Sequence, residues 1–332
     1  MPMRAGEVQI EWPRGRSGAR VLRITTEGTA GVMSTTLMPA EALYASVMAA
    51  RNAAYDAGLL RAHRVGMPVV SIGNIVAGGA GKTPLTRWLT EQLLARGRRP
   101  AILHGGYGDD EPRLHREWHP EVIVVSERDR VAGANQAIAQ GADVILLDDG
   151  FQHRRLARDC DIVLLPADET ADRLLPRGPG REPMRALRRS DFIVVMRKAA
   201  APDEAMLLET RAHQAAPGVP SARVHLRLSG ALPTDPVAVA TAIARPDLLL
   251  AQLLQARTDV RTFLAFPDHH EYTRADAVLI AARAANHLLV TTAKDAVKLR
   301  ELMPEQPMHI VEQEVIFESG AGELMSVIDN IL

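Results

Sequence analysis

A chain of 332 residues with 47% hydrophobic and 24% charged residues is a core-forming globular protein, long enough for two domains. A formal net charge of −1 withholds the basic surface that nucleic-acid binding draws on, so no nucleic-acid partner is expected. Cys160 is the only cysteine, which excludes a disulfide framework, and no apolar run approaches the roughly 18 residues of a membrane span.

Residues 1–36 carry Gly, Arg and Thr with little periodicity and read as a poorly specified N-terminal arm. From Leu37 to His63, the residues Leu43, Tyr44, Val47, Met48, Ala54, Tyr55 and Leu59 recur at helical spacing, with Arg51, Arg61 and Arg64 between or after them. Periodicity alone favours an amphipathic helix packed on the core over one lying on an anionic membrane face. Short apolar runs follow, alternating with helical stretches: MPVVSIG, PAILHG, EVIVVS, ADVILLD, CDIVLLP and DFIVVM. Such runs are the mark of strands buried on both faces, so the rhythm predicts a parallel sheet with helices on both sides. A P-loop domain with its N-terminal helix is expected over 37–200. Ala- and Pro-rich residues 201–220 read as a linker. The runs ARVHLRL, VAVATAI, VRTFLAF, HLLVTT and MHIVEQE predict a smaller α/β domain over 221–332.

The segment Val69–Leu93 carries the first chemistry. It reads as a strand, a glycine-rich loop and a helix opening at Gly-Lys-Thr. Small residues let backbone N–H groups face phosphate oxygens. A lysine reaches the terminal phosphates and a hydroxyl holds Mg²⁺. Gly78, Gly79, Ala80 and Gly81 fill the first role, Lys82 the second and Thr83 the third, so ATP and Mg²⁺ are the expected cofactors. Val76 stands where the P-loop pattern has its first glycine. The run ADVILLDDGFQH places Asp148 and Asp149 at a strand end, where an acid approaches the metal, and Gln152 follows within a turn. Arg181 and Glu182 lie after a Pro- and Gly-rich loop, where the arginine suits a transferring phosphoryl group or an acceptor phosphate. Tyr107 sits just past another strand end. The spacing of His115, Trp118 and His119 fits no zinc pattern and reads as structural.

Several segments taken together resemble the tetraacyldisaccharide 4'-kinases of lipid A synthesis: PVVSIGNIVAGGAGKTP, GYG at 106–108, DEP at 110–112, DDGFQHRRLARD, LLPRGPGREP, FPDHHEY and TTAKDAVKL. The resemblance covers roughly residues 40–332. It implies a P-loop NTPase-type fold and transfer of the γ-phosphate of ATP to the 4'-hydroxyl of a tetraacyldisaccharide 1-phosphate, the lipid A precursor. It makes Asp110 the acid beside the acceptor hydroxyl and His269 its partner, with His270 as rival. Spacing alone reads Asp110 and Glu111 as a solvated turn. Lys82 and Arg181 complete the expected catalytic set. Tyr107, Glu111, Gln152 and Glu182 are the expected substrate contacts, and Thr83, Asp148 and Asp149 the metal ligands. The resemblance also turns the helix before the P-loop strand into a membrane-associated element, on the cytoplasmic face of the inner membrane, with no obligatory protein partner. A soluble acceptor, or a nucleotide-binding protein without catalysis, are the readings it competes with.

Overall fold

The computed structural model describes residues 9–11, 37–106, 110–169 and 172–332. The expected acceptor contact Tyr107 lies outside the described residues. Within the expected arm, Gln9–Glu11 forms a short strand, β1.

The first helix, α1 (Met38–Asp56), is followed by β2 (Val69–Asn74), α2 (Lys82–Ala95), β3 (Pro100–His104), α3 (Asp110–Trp118), β4 (Ile123–Ser126), α4 (Arg130–Ala139) and β5 (Val144–Asp148). Then come β6 (Cys160–Pro166), a short 3₁₀ helix (Met184–Arg189), β7 (Phe192–Arg197), α5 (Pro202–Ala215) and β8 (Ser221–Ser229). The remainder is β9 (Val237–Thr241), α6 (Pro246–Gln255), β10 (Val260–Ala265), α7 (Arg274–Ala284), β11 (Leu288–Thr292), α8 (Ala293–Leu302), β12 (Met308–Ser319) and α9 (Ala321–Asp329).

The chain forms two compact units. One holds Arg227–Glu314 with β1. The other runs up to Leu226 and takes back Val315–Leu332. The boundary expected at 221 therefore falls slightly later, and the last helix belongs with the P-loop unit. The segment expected as a linker, 201–220, is mostly helix α5. Its Ala, Leu, Glu and Arg residues are good helix formers. Pro202 sits at the first turn, where its missing N–H costs nothing, and the Glu204 carboxylate accepts from the Ala201 N–H at 2.7 Å.

In the P-loop unit the strand order is β8-β7-β6-β2-β5-β3-β4, with every neighbouring pair parallel. All residues of β2, β3, β5 and β6 are buried, which is why the sequence reads as uninterrupted apolar runs. Leu85, Leu89 and Leu93, spaced by four, turn one face of α2 onto the sheet and are fully buried. Each stabilises the packing by roughly 1.5–3 kcal/mol relative to exposure. Register then aligns the strand ends. Leu103 pairs with Leu147 and Ile72 with Asp148, so His104, Asp148 and the P-loop emerge on one carboxyl edge.

The other unit has the strand order β1-β10-β9-β11-β12, again parallel. Two apolar clusters cover its faces, one around Ala240, Phe266, Ile280 and Leu299, the other around Val239, Leu253, Phe263 and Val290. No described helix is long and apolar enough to cross a membrane.

Candidate active site

Helix α2 opens directly at Lys82. Its N-cap is Gly81 in the left-handed region (φ 88°), with no side-chain cap and no acid in the first turn. The first-turn N–H groups are thus not consumed by the chain and, with the helix dipole, suit a phosphate. Gly78 also has positive φ (103°), and the Ala80 N–H donates to the Gly78 carbonyl at 2.7 Å. Val76, in place of the usual glycine, is buried, bridges Gly180 and packs among Ile75, Leu165 and Leu187. The Ala77 N–H donates to the Pro179 carbonyl, and the Arg181 N–H to the Ile75 carbonyl, both at 2.7 Å. The Pro- and Gly-rich loop is therefore strapped to the strand that feeds the P-loop, which brings Arg181 to the phosphate edge.

The two neighbouring aspartates part company. Asp149 adopts φ 53°, and its carboxylate lies 3.5 Å from the Lys82 Nζ and accepts from Arg181 Nη1 at 2.7 and 2.8 Å. Burial pushes its carboxyl up, but Lys82 and Arg181 outweigh that and hold it below the usual range. Asp149, expected as a metal ligand, thus spends both oxygens on these cations. Asp148 is deeply buried, and its Oδ2 lies 3.2 Å from His104 Nδ1. Burial again pushes up, and the hydrogen bond with His104 and the charge of Lys82 hold the acid low. Asp148 is ionised at neutral pH and faces a different corner from its neighbour.

That corner contains Thr83 and Glu111. The Thr83 hydroxyl donates to Glu111 Oε1 at 3.3 Å. One ligand atom each from His104, Glu111 and Asp148 lie within 4.8 Å of one another. Asp148 Oδ1 is buried and has no hydrogen-bond partner among the described residues. An orphaned anionic oxygen beside a hydroxyl and a second carboxylate fits a divalent cation. Glu111, expected as a substrate contact, belongs to this corner. Asp110 heads α3 and is buried, not the solvated turn that spacing alone suggests. Behind His104, the fully buried His115 packs its ring at 5.3 Å and meets Trp118 edge-on. Burial, reinforced by His104, lowers the His115 pKa to about 3, so it stays neutral, in keeping with its structural reading.

Glu182 is a hub rather than an open contact. Its buried carboxylate accepts from Asn52 at 2.7 Å, Gln152 at 3.1 Å and Arg189 at 3.0 and 3.1 Å. Gln152 also donates to the Asn74 carbonyl at 3.0 Å. Helix α1 joins the network: the Tyr44 hydroxyl donates to the Arg181 carbonyl at 3.0 Å and Arg51 Nη2 to the Gln152 carbonyl at 2.7 Å. This helix buries no residue fully, so the expectation of a helix packed on the core is corrected. Its inner face makes polar contacts to the site loops, and its outer face leaves Leu43 67% and Val47 57% exposed.

In the other unit, His269 has φ 57°. Its N–H donates to the Ala242 carbonyl at 3.1 Å, and its Nε2 lies 3.3 Å from Lys294 Nζ. His270, the rival, stacks on Phe266 and pairs with Asp276 at 3.1 Å. Thr292 caps α8, its hydroxyl accepting from the Asp295 N–H.

Within the P-loop unit, the P-loop, the corner of Thr83, His104, Asp148 and Glu111, and the basic pair of Lys82 and Arg181 lie on one sheet edge. The family model of tetraacyldisaccharide-1-P 4'-kinase, LpxK, matches residues 33–119 and 109–332. The chain belongs to the tetraacyldisaccharide 4'-kinase family. Among curated members, it is 38% identical over 316 residues to the tetraacyldisaccharide 4'-kinase of Anaeromyxobacter sp. (strain Fw109-5), covering 83% of this chain and 85% of that one. The enzyme of Anaeromyxobacter dehalogenans (strain 2CP-C) is 41% identical over 304 residues, covering 79% and 80%. The fold matches the crystal structure of LpxK from Aquifex aeolicus in complex with ATP, with TM-score 0.71 and 27% identity over 90% of this chain and 99% of that one. Sequence reasoning missed one member of the corner. His104 was visible only as the last residue of an apolar strand; Glu182 was expected as a substrate contact, but its buried hub of hydrogen bonds had no local signal.

Proposed function

We propose that this tetraacyldisaccharide 4'-kinase transfers the γ-phosphate of ATP at the P-loop edge to the 4'-hydroxyl of a tetraacyldisaccharide 1-phosphate. The observation that carries the reading is the convergence of Lys82, Arg181 and Asp149 beside the uncapped start of α2, in a chain of this family. Phosphoryl transfer asks for positioning and charge more than for covalent chemistry. Lys82 and the loop N–H groups hold the triphosphate. Asp149 keeps Lys82 and Arg181 aimed at it. Thr83, Asp148 and Glu111 would hold the divalent cation, which when bound neutralises phosphate charge. By family resemblance, Asp110 takes the proton of the acceptor hydroxyl. Gln152 and Glu182 shape the loop that carries Arg181. The enzyme works at the cytoplasmic face of the inner membrane, on which α1 rests through its exposed apolar side.

The test is transfer of labelled phosphate from ATP to purified tetraacyldisaccharide 1-phosphate in mixed micelles. Transfer by the natural chain and its loss in Lys82→Ala, with unchanged thermal melting, is the expected outcome. A Lys82→Ala enzyme with near-full turnover sinks the nucleotide assignment.

A further inference from the structure

Among the side chains at the P-loop edge, His104 is the one that phosphoryl transfer does not call for. An all-oxygen donor set is what Mg²⁺ prefers, and an imidazole nitrogen suits the first-row transition cations better. Yet His104 closes the cation corner. Parallel pairing of β3 with β5 sets it beside Asp148, with Nδ1 at 3.2 Å from the carboxylate. Two ligands at neighbouring corners of an octahedron with bonds near 2.1 Å stand about 3 Å apart, so this pair already has the separation of adjacent ligands. Glu111 offers a third ligand atom within 4.8 Å of both, and the Thr83 hydroxyl adjoins Glu111. His104 and Asp148 are 4% and 5% exposed. Asp148 Oδ1 is buried with no hydrogen-bond partner among the described residues. The corner is thus built, and its one buried carboxylate oxygen is short of a partner.

We infer that His104 gives the cation site a nitrogen ligand, and that this kinase binds Mn²⁺ and the later first-row divalent cations in preference to Mg²⁺. The inference rests on the kinase reading, because the same cation serves the bound nucleotide. Ligation would use the Nδ1 lone pair in place of the hydrogen bond to Asp148, with the ring proton on Nε2.

The experiment uses the full chain with a non-hydrolysable ATP analogue and Mn²⁺ as the probe. Pulsed electron paramagnetic resonance reads nitrogen coupled to the bound Mn²⁺, and competition with Mg²⁺ reads the preference. The natural chain should show nitrogen coupling. His104→Ser should lose the coupling while still binding Mn²⁺, and its preference for Mn²⁺ over Mg²⁺ should fall on the order of tenfold or more. His104→Gln keeps the side-chain volume and should behave as the serine variant does, which separates a lost ligand from a damaged fold. Mn²⁺ that Mg²⁺ displaces but that shows no nitrogen coupling overturns the inference. So does coupling that survives in His104→Ser, since the nitrogen then comes from the nucleotide base. Failure of the natural chain to bind ATP at all would overturn the kinase reading together with this one.

Discussion

Arg181 donates through one nitrogen to both oxygens of Asp149, at 2.7 and 2.8 Å, while the adjacent Asp148 turns to His104. Two acids that the sequence presents as a pair therefore do separate work. Asp149 pairs with Lys82 and Arg181, and Asp148 keeps one buried oxygen without a hydrogen-bond partner among the described residues.

The first prediction separates them. Asp149→Asn removes the charge that steadies Lys82 and Arg181, so ATP affinity without added metal should change and turnover should fall at least about tenfold. Asp148→Asn should leave metal-free ATP binding near its natural value but raise the divalent-cation concentration needed for half-maximal turnover. Calorimetric titration of ATP with and without cation reads both. Identical profiles for the two variants would restore a shared metal role.

The second concerns Gly73, near the end of β2. A Cβ there would lie 2.5 Å from the Phe151 Cβ and 2.8 Å from the Phe151 backbone nitrogen. The segment it would push carries Asp149 on one side and Gln152 on the other. Gly73→Ala should cost on the order of 1–3 kcal/mol by overpacking and lower turnover further than the stability loss explains. Denaturant midpoints and labelled-phosphate transfer read the two effects. Natural stability with natural turnover would mean the close approach is not needed.

The strands were legible because parallel strands buried on both faces leave long apolar runs, as VILLD and CDIVLLP do. The P-loop was legible because its chemistry is local: Gly81, Lys82 and Thr83 are consecutive. Composition misled at 201–220, where Ala and Pro suggested a linker. There, proline at a helix start and alanine within it are helix signals. The place of His104 in the corner, and the hub role of Glu182 beyond the substrate contact expected of it, were not legible because they arise from register and from contacts across long sequence separations, such as Asn52 with Glu182. The same limit applied to α1, whose spacing announced a helix but not which face would meet the loops.

The third prediction is a pH dependence in the unit that carries His269. Asp295 is buried and accepts from Thr292 at 2.7 Å, Thr241 at 2.8 Å, and Tyr272 and the Ala242 N–H at 3.0 Å. Burial outweighs these donors and raises its carboxyl above the ordinary value. In the window between the ordinary aspartate value and the raised one, the folded state binds more protons than the unfolded chain. Its contribution to stability is then full below that window and declines as pH rises through it. Asp295→Asn cannot titrate, so denaturant midpoints measured from about pH 4 upward should show a flatter curve for the variant. A natural chain that gains stability relative to the variant as pH rises would mean that the four donors outweigh burial.

The last prediction concerns helix α1 and the bilayer. Tyr44, Arg51 and Asn52 lie on its inner face and hold the Arg181–Gln152–Glu182 network, so deleting the helix would disturb the site as well as any lipid contact. Leu43 and Val47 are one turn apart on the outer face and exposed. An apolar pair there serves no core, and its transfer into the acyl boundary would favour membrane binding. Leu43→Glu with Val47→Glu removes that gain and adds two charges repelled by anionic lipid. Vesicle co-sedimentation should fall on the order of tenfold or more, while melting temperature and ATP affinity stay at their natural values. Binding of the natural chain should weaken as salt rises, since arginine attraction to the surface is screened within about 8–10 Å near physiological ionic strength. Transfer to the acceptor in dispersed micelles should survive better than transfer to acceptor embedded in vesicles. Undiminished vesicle binding by the double variant would remove α1 from the membrane surface and leave it only the role of bracing the Arg181 loop.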